Sequence, residues 1–137
     1  MKKIATVEYK GQLRTLNTHL ASGANYITDA PTDNHGRGEA FSPTDLLATS
    51  LADCILTIIG IEASKKDIQI GAATADVSKL MKATPRRVAK VQIDISITSS
   101  ASDAEERFLE EKGRNCPVAL SLHPDLIQEV SFIWQKN

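Results

Sequence analysis

The chain has 137 residues, 42% of them hydrophobic and 24% charged, which allows a packed core and excludes a disordered chain. Lys and Arg number 16 against 17 Asp and Glu, for a net charge of −1, and aromatic residues make up 4%. This balance excludes the usual nucleic-acid binder, which needs a basic surface or stacking rings, and no unbroken apolar run of about 18 residues indicates a membrane partner or span.

The start, Met1-Lys2-Lys3-Ile4, passes directly into an alternating pattern. No apolar stretch of a signal peptide stands there, so the expected location is cytoplasmic. Ile4, Thr6, Glu8 and Lys10 alternate with Ala5, Val7 and Tyr9, a strand pattern punctuated by Gly11. A second alternation covers 13–18, Ser22-Gly23 turns the chain, and 24–28 reads as a third short strand. An antiparallel meander joins the three most economically. Residues 29–40 hold Gly and Pro among Asp, Asn, His, Arg and Glu. A connection of about a dozen residues is long and marks a candidate functional loop.

Ser42-Pro43-Thr44-Asp45 is a helix start: a capping serine, a proline at the first position, an acid three residues after the cap. The helix is expected to reach 64–66. It is apolar on most sides through Leu46, Leu47, Leu51, Ile55, Leu56, Ile58, Ile59 and Ile61. Such a helix is buried, and a second copy of it could cover what one small sheet cannot. Residues 68–83 and 86–98 read as long strands around a Thr84-Pro85 turn, the second rich in β-branched residues. Ser102 to Glu105 is another capping box, opening a helix that ends near Gly113. Cys116-Pro117 starts a short helix closed by His123-Pro124, and 126–134 is the last strand. The whole is an α/β (α+β) chain with a single domain, in which 1–40 forms the strand meander and loop, 41–66 the central helix, and 67–137 strands and short helices.

Two cysteines and three scattered histidines form no zinc pattern, so no metal and no cofactor are expected. Cys54 falls within the long helix, on a side shared with Leu47, Leu51, Ile58 and Ile61 at about 100° per residue. Burial there favours the neutral thiol, so a reactive Cys54 needs a cation brought from elsewhere. Cys116 caps a helix, where orphan N–H groups favour a thiolate, and Arg114 is close in sequence; local chemistry makes Cys116 the more acidic thiol. Inert core thiols are the alternative reading at this point.

The segments Phe41-Ser42-Pro43-Thr44-Asp45-Leu46-Leu47-Ala48 leading to Cys54, Pro85-Arg86-Arg87-Val88, and Asn115-Cys116-Pro117-Val118 with Ser121-Leu122-His123-Pro124 together resemble the OsmC/Ohr family. The resemblance spans nearly the whole chain. It implies antiparallel sheets around a long central helix, two chains intertwined as a homodimer, and thiol-dependent reduction of organic hydroperoxides with a dithiol as reductant. Position by position, Cys54 resembles the peroxidatic cysteine and Cys116 the resolving cysteine. The best-known peroxidases of the family carry a glutamate ten positions before the first cysteine, where this chain has Thr44, and Asp45 falls on the opposite helix face. Arg14 or Arg37 is the expected partner of the thiolate, and Glu39 the candidate to replace the missing glutamate. A non-catalytic dimer that holds an apolar or redox-active small molecule is the other functional reading.

Overall fold

The computed structural model describes all residues, 1–137. The backbone gathers into two compact units, Met1–Leu47 and Ala48–Asn137. The first holds strands β1 (Ala5–Gly11), β2 (Arg14–His19) and β3 (Asn25–Asp29). They form an antiparallel meander in the order β1-β2-β3, as the alternation predicts. Thr15 and Thr28, directly opposite each other, join through their hydroxyls. Most apolar side chains of this sheet, among them Val7, Tyr9 and Tyr26, are exposed.

The stretch after β3 is more ordered than its composition suggests. It contains a short 3-10 turn at Thr32–Asn34 and folds back on its own entrance. The Gly36 N–H donates to the Pro31 carbonyl at 2.9 Å and the Gly38 N–H to the Ala30 carbonyl at 3.1 Å. A Cβ on Gly36 would lie 1.7 Å from the Ala30 carbonyl oxygen, so this approach requires glycine.

Helix α1 (Pro43–Lys65) begins where predicted. The Ser42 N–H donates to Asp45 Oδ2 at 2.9 Å, and the Asp45 N–H donates to Ser42 Oγ at 3.0 Å. This reciprocal box satisfies donors that a helix start leaves orphaned. Of the helix's broad apolar surface, Ala48, Leu51, Ala52, Ile55, Ile59 and Ala63 are buried. Their spacing of three and four residues is one face of a helix. Leu47 and Ile61 remain exposed, while Cys54, Leu56 and Ile58 are half-buried. By length and composition alone α1 is apolar enough to cross a bilayer, although polar Thr49, Ser50 and Asp53 break its apolar run; its buried face belongs to the protein core.

The second unit continues with β4 (Ile70–Ala83) and β5 (Arg86–Ser99), a long antiparallel hairpin closed at Thr84-Pro85. Val88, Val91, Ile93, Ile95 and Ile97 of β5 are all buried. The step from 88 to 91 breaks strict alternation, and the register shows why. Met81 faces Val88 while Leu80 faces Lys90, so Ala89 is the extra residue of a bulge. The bulge returns both valines to the core side. Helices α2 (Asp103–Arg114) and α3 (Pro117–Ser121) follow, then β6 (Ile127–Lys136). The Ser102–Glu105 capping box is formed.

The expected all-antiparallel arrangement is corrected at β6, which runs parallel to β5, so the sheet β4-β5-β6 is mixed. The physical reason is the connection. A hairpin returns antiparallel, whereas the α2–α3 segment is a crossover long enough to carry the chain back to the strand's starting end. Arg114 secures the crossover: its Nη1 donates to the Val130 carbonyl at 2.8 Å, and its guanidinium lies 5.0 Å from the centre of the Phe132 ring.

Leu51 is completely buried in the cluster that α1 shares with β5. Leu51→Ala is expected to lower the unfolding free energy by about 2–5 kcal/mol, measured by urea denaturation. A loss below about 0.5 kcal/mol would mean that this contact does not organise the core.

Candidate active site

The two thiols come together within the second unit. Cys54 sits on α1 and is half-buried; Cys116 caps α3 and is 1% exposed. Both are free thiols, and Cys54 is near enough to raise the pKa of the Cys116 thiol. Three local features bring Cys116 to this place. Pro117 at the first helical position fixes the direction of α3. The Ala119 N–H donates to Cys116 Sγ at 3.5 Å. Gly113, buried in the last turn of α2, lets that helix approach α1: a Cβ there would meet Ile55 Cγ2 at 3.0 Å and Ile59 Cδ1 at 3.2 Å. Ile55 is the neighbour of Cys54, so the contact that seats α2 also sets the spacing between the cysteines.

The acidity argument from local sequence is overturned. Burial pushes the Cys116 thiol above its ordinary value, against the lowering effect of the Ala119 N–H. The nearby Cys54 pushes it further up, and the Val118 N–H opposes weakly. A helix N-terminus favours a thiolate, but this one belongs to a helix of five residues. Removing the sulfur from water costs more than its single turn returns. Cys116 is therefore held as a thiol that keeps its proton beside Cys54.

The charged candidates gather in the first unit around a residue that its polar surroundings assign to the loop and the structure assigns to β3. Asp29, the last residue of β3, is 1% exposed. Its Oδ1 accepts from Arg14 Nε at 2.7 Å and its Oδ2 from Arg14 Nη2 at 2.8 Å. Its Oδ2 also accepts the Glu39 N–H at 3.2 Å. Glu39 itself is exposed, its Oε2 3.8 Å from Arg14 Nη2. Arg37 is exposed, and its charge reaches Asp29. Hydrogen bonding to Arg14 holds the Asp29 carboxyl below its usual range, against the opposing effect of burial, and the same bond raises Arg14. Asp29 thus holds Arg14 and the Glu39 backbone directly, while Arg37 acts on it through charge alone. The signal for it was the meander register, which sets Arg14 directly opposite Asp29. Thr44 Oγ1 lies 3.3 Å from Ser42 Oγ, and Asp45 is engaged in the helix cap.

The protonated state of Cys116 can be tested directly. With the protein fully reduced at pH 7, iodoacetamide is expected to label Cys116 at least about tenfold more slowly than free cysteine, because only the thiolate reacts. Mass spectrometry of the digested protein measures it; a rate equal to free cysteine would contradict the effect of burial.

Comparison with known proteins agrees with this architecture. Residues 36–129 match the family of OsmC-like proteins. A structure from Psychrobacter arcticus 273-4, provisionally described as an osmotic stress induced and detoxification response protein, is 50% identical, with 97% of each chain covered and a TM-score of 0.93. An OsmC-like protein from Mycoplasma pneumoniae is 19% identical over 98% of each chain, with a TM-score of 0.80. An organic hydroperoxide resistance protein OsmC from Legionella pneumophila is 18% identical over 96% of each chain, with a TM-score of 0.69. A search of curated proteins found no match. The extent of the family match, the closeness of the Psychrobacter chain and the shared mixed α+β fold lead to one assignment: the chain belongs to the OsmC-like protein family.

Proposed function

We propose that the protein is a cysteine-based peroxidase that reduces organic hydroperoxides in oxidative-stress defence. The observation that carries this reading is the pair of free thiols, one half-buried and one fully buried and each influencing the other, in a chain of this family. Cys54 as thiolate attacks the distal peroxide oxygen. The O–O bond breaks, Cys54 becomes a sulfenic acid, and the departing alkoxide takes a proton and leaves as an alcohol. Cys116 then attacks the sulfenic sulfur, an S–S bond forms, and water leaves with the Cys116 proton. A cellular dithiol returns both cysteines to thiols by exchange. A positive charge is needed for the thiolate and the departing oxygen, and Arg14 and Arg37 are the candidates to supply it. The apolar residues around Cys54 favour a substrate with a hydrocarbon tail over hydrogen peroxide. The setting is the reducing cytoplasm, where such a disulfide is transient.

The working unit in this reading is an intertwined homodimer. Support comes from the exposed Leu47 and Ile61 on α1 and from the bare apolar side chains of β1 and β3. Three strands with so little buried surface are marginal without something to pack against. Sedimentation at micromolar concentration is expected to give a dimer, and a stable folded monomer would refute this.

A second reading is a non-catalytic dimer that binds an apolar or redox-active small molecule, favoured by the uncharged Thr44. Turnover separates the two. With tert-butyl hydroperoxide and dithiothreitol, the wild type is expected to consume peroxide continuously. Cys54→Ser is expected to reduce the rate to background, and Cys116→Ser to complete about one turnover and then stall or over-oxidise. Full activity in Cys54→Ser would overturn the assignment of roles.

A further inference from the structure

The positive charge of the chain is unevenly placed. Residues 78–90 form the closed end of the β4–β5 hairpin. They hold Lys79, Lys82, Arg86, Arg87 and Lys90 and no Asp or Glu, in a chain of net charge −1. The register sets Lys82 opposite Arg87, Leu80 opposite Lys90, and Lys90 beside Ile127 of β6. Alternation turns all five to the sheet face away from buried Val88, Val91 and Ile93. On that face Leu80 is 57% and Ile127 60% exposed. Two bare aliphatic side chains thus flank one lysine, beside a lysine–arginine pair. Farther along the same face stands Asp76 opposite Asp94, so the face is cationic at the hairpin end and anionic toward its middle.

Folding alone does not call for this arrangement. Like charges directly opposite on neighbouring strands cost stability, and Lys82 has Arg87 for its partner. Lys90 is partly neutralised, its Nζ 3.3 Å from Glu129 Oε2. Lysines on an edge strand deter unwanted pairing, but Arg87 and Lys90 belong to β5, the central strand of the sheet, which has no free edge.

We propose that the closed end of the β4–β5 hairpin is a contact for anionic membrane surfaces. Cations interspersed with exposed aliphatic side chains match a surface that is negative outside and apolar just beneath. Lys82, Arg87 and Lys90 meet the headgroups, and Leu80 and Ile127 enter the boundary below them. The hairpin end carries no aromatic ring on which nucleic-acid bases could stack. Asp76 and Asp94 are repelled by such a surface, so the sheet meets it end-on. Contact with a surface requires no spanning run, the feature whose lack underlies the expectation of no membrane partner. The proposal is independent of the peroxidase reading.

The test is co-sedimentation of the full-length protein with lipid vesicles at physiological ionic strength. Vesicles of phosphatidylglycerol and phosphatidylcholine in equal amounts are compared with phosphatidylcholine alone. The wild type is expected to bind the anionic vesicles and not the neutral ones, and to be released at about 1 M salt, where charge is screened within about 3 Å. Lys82→Gln/Arg87→Gln is expected to weaken binding about 25-fold, about fivefold for each cation withdrawn. Leu80→Ser leaves every charge in place and is expected to weaken it about 5–10-fold. Thermal unfolding separates lost contact from lost fold: without two like charges opposed, the double variant is expected to be at least as stable as wild type. If it does not fold, Arg87→Gln and Leu80→Ser decide. No binding to anionic vesicles, equal binding to neutral ones, or wild-type binding in the charge variants or in Leu80→Ser would overturn the proposal. Tighter binding to duplex DNA of random sequence than to anionic vesicles would also overturn it, and would assign the hairpin to a nucleic acid.

Discussion

The burial of one face of α1 against β5 is the contact on which the second unit depends. Leu51, Ile55 and Ile59 from the helix and Val91, Ile93, Ile95 and Ile97 from the strand are all but inaccessible to water. Each such side chain contributes about 1.5–3 kcal/mol by leaving water. The face is fixed by helical periodicity, so the position of every other α1 side chain follows. Cys54 precedes Ile55 and is turned about 100° from it. It is therefore carried to the margin of the core, half-buried, where a thiol can be reached. The same isoleucines receive Gly113, and through α2 they determine where Cys116 caps its helix. Apolar packing thus sets the distance between two sulfurs that are far apart in sequence.

Much of this fold was legible because local signals agreed with one another. Both capping boxes, at Ser42 and Ser102, start helices where they were read, since the donors they satisfy are orphaned in any helix. The alternation in β5 was legible even across its bulge, because Val88 and Val91 announced an apolar face before the register was known. The parallel pairing of β6 was not legible. Its own pattern is compatible with either direction, and the choice is made by the crossover. The site divides in the same way. Cys116 could be placed at a helix cap from Pro117 alone, but its acidity could not be read, because burial comes from elements distant in sequence and outweighs the cap. Asp29 was missed for a related reason. In sequence it begins a polar loop, and only the strand register sets it against Arg14.

The unequal environments of the two thiols bear on their division of labour. A peroxidatic sulfur must meet substrate, and a resolving sulfur must wait without being oxidised first. Cys116, buried and held as a thiol, is protected in this sense, because oxidation follows thiolate character and exposure.

The same logic gives the polar contacts of the first unit a meaning that a count of ion pairs would miss. The meander buries little apolar surface, yet it encloses one carboxylate almost completely. A charge is enclosed at a cost, and here the cost is offset by three donors whose positions are all determined by backbone: two from an arginine across the register and one from the main chain of Glu39. If the pair served only to join β2 to β3, the ladder already does so from Arg14 to Thr18. What the ladder cannot do is fix the far end of an arginine side chain.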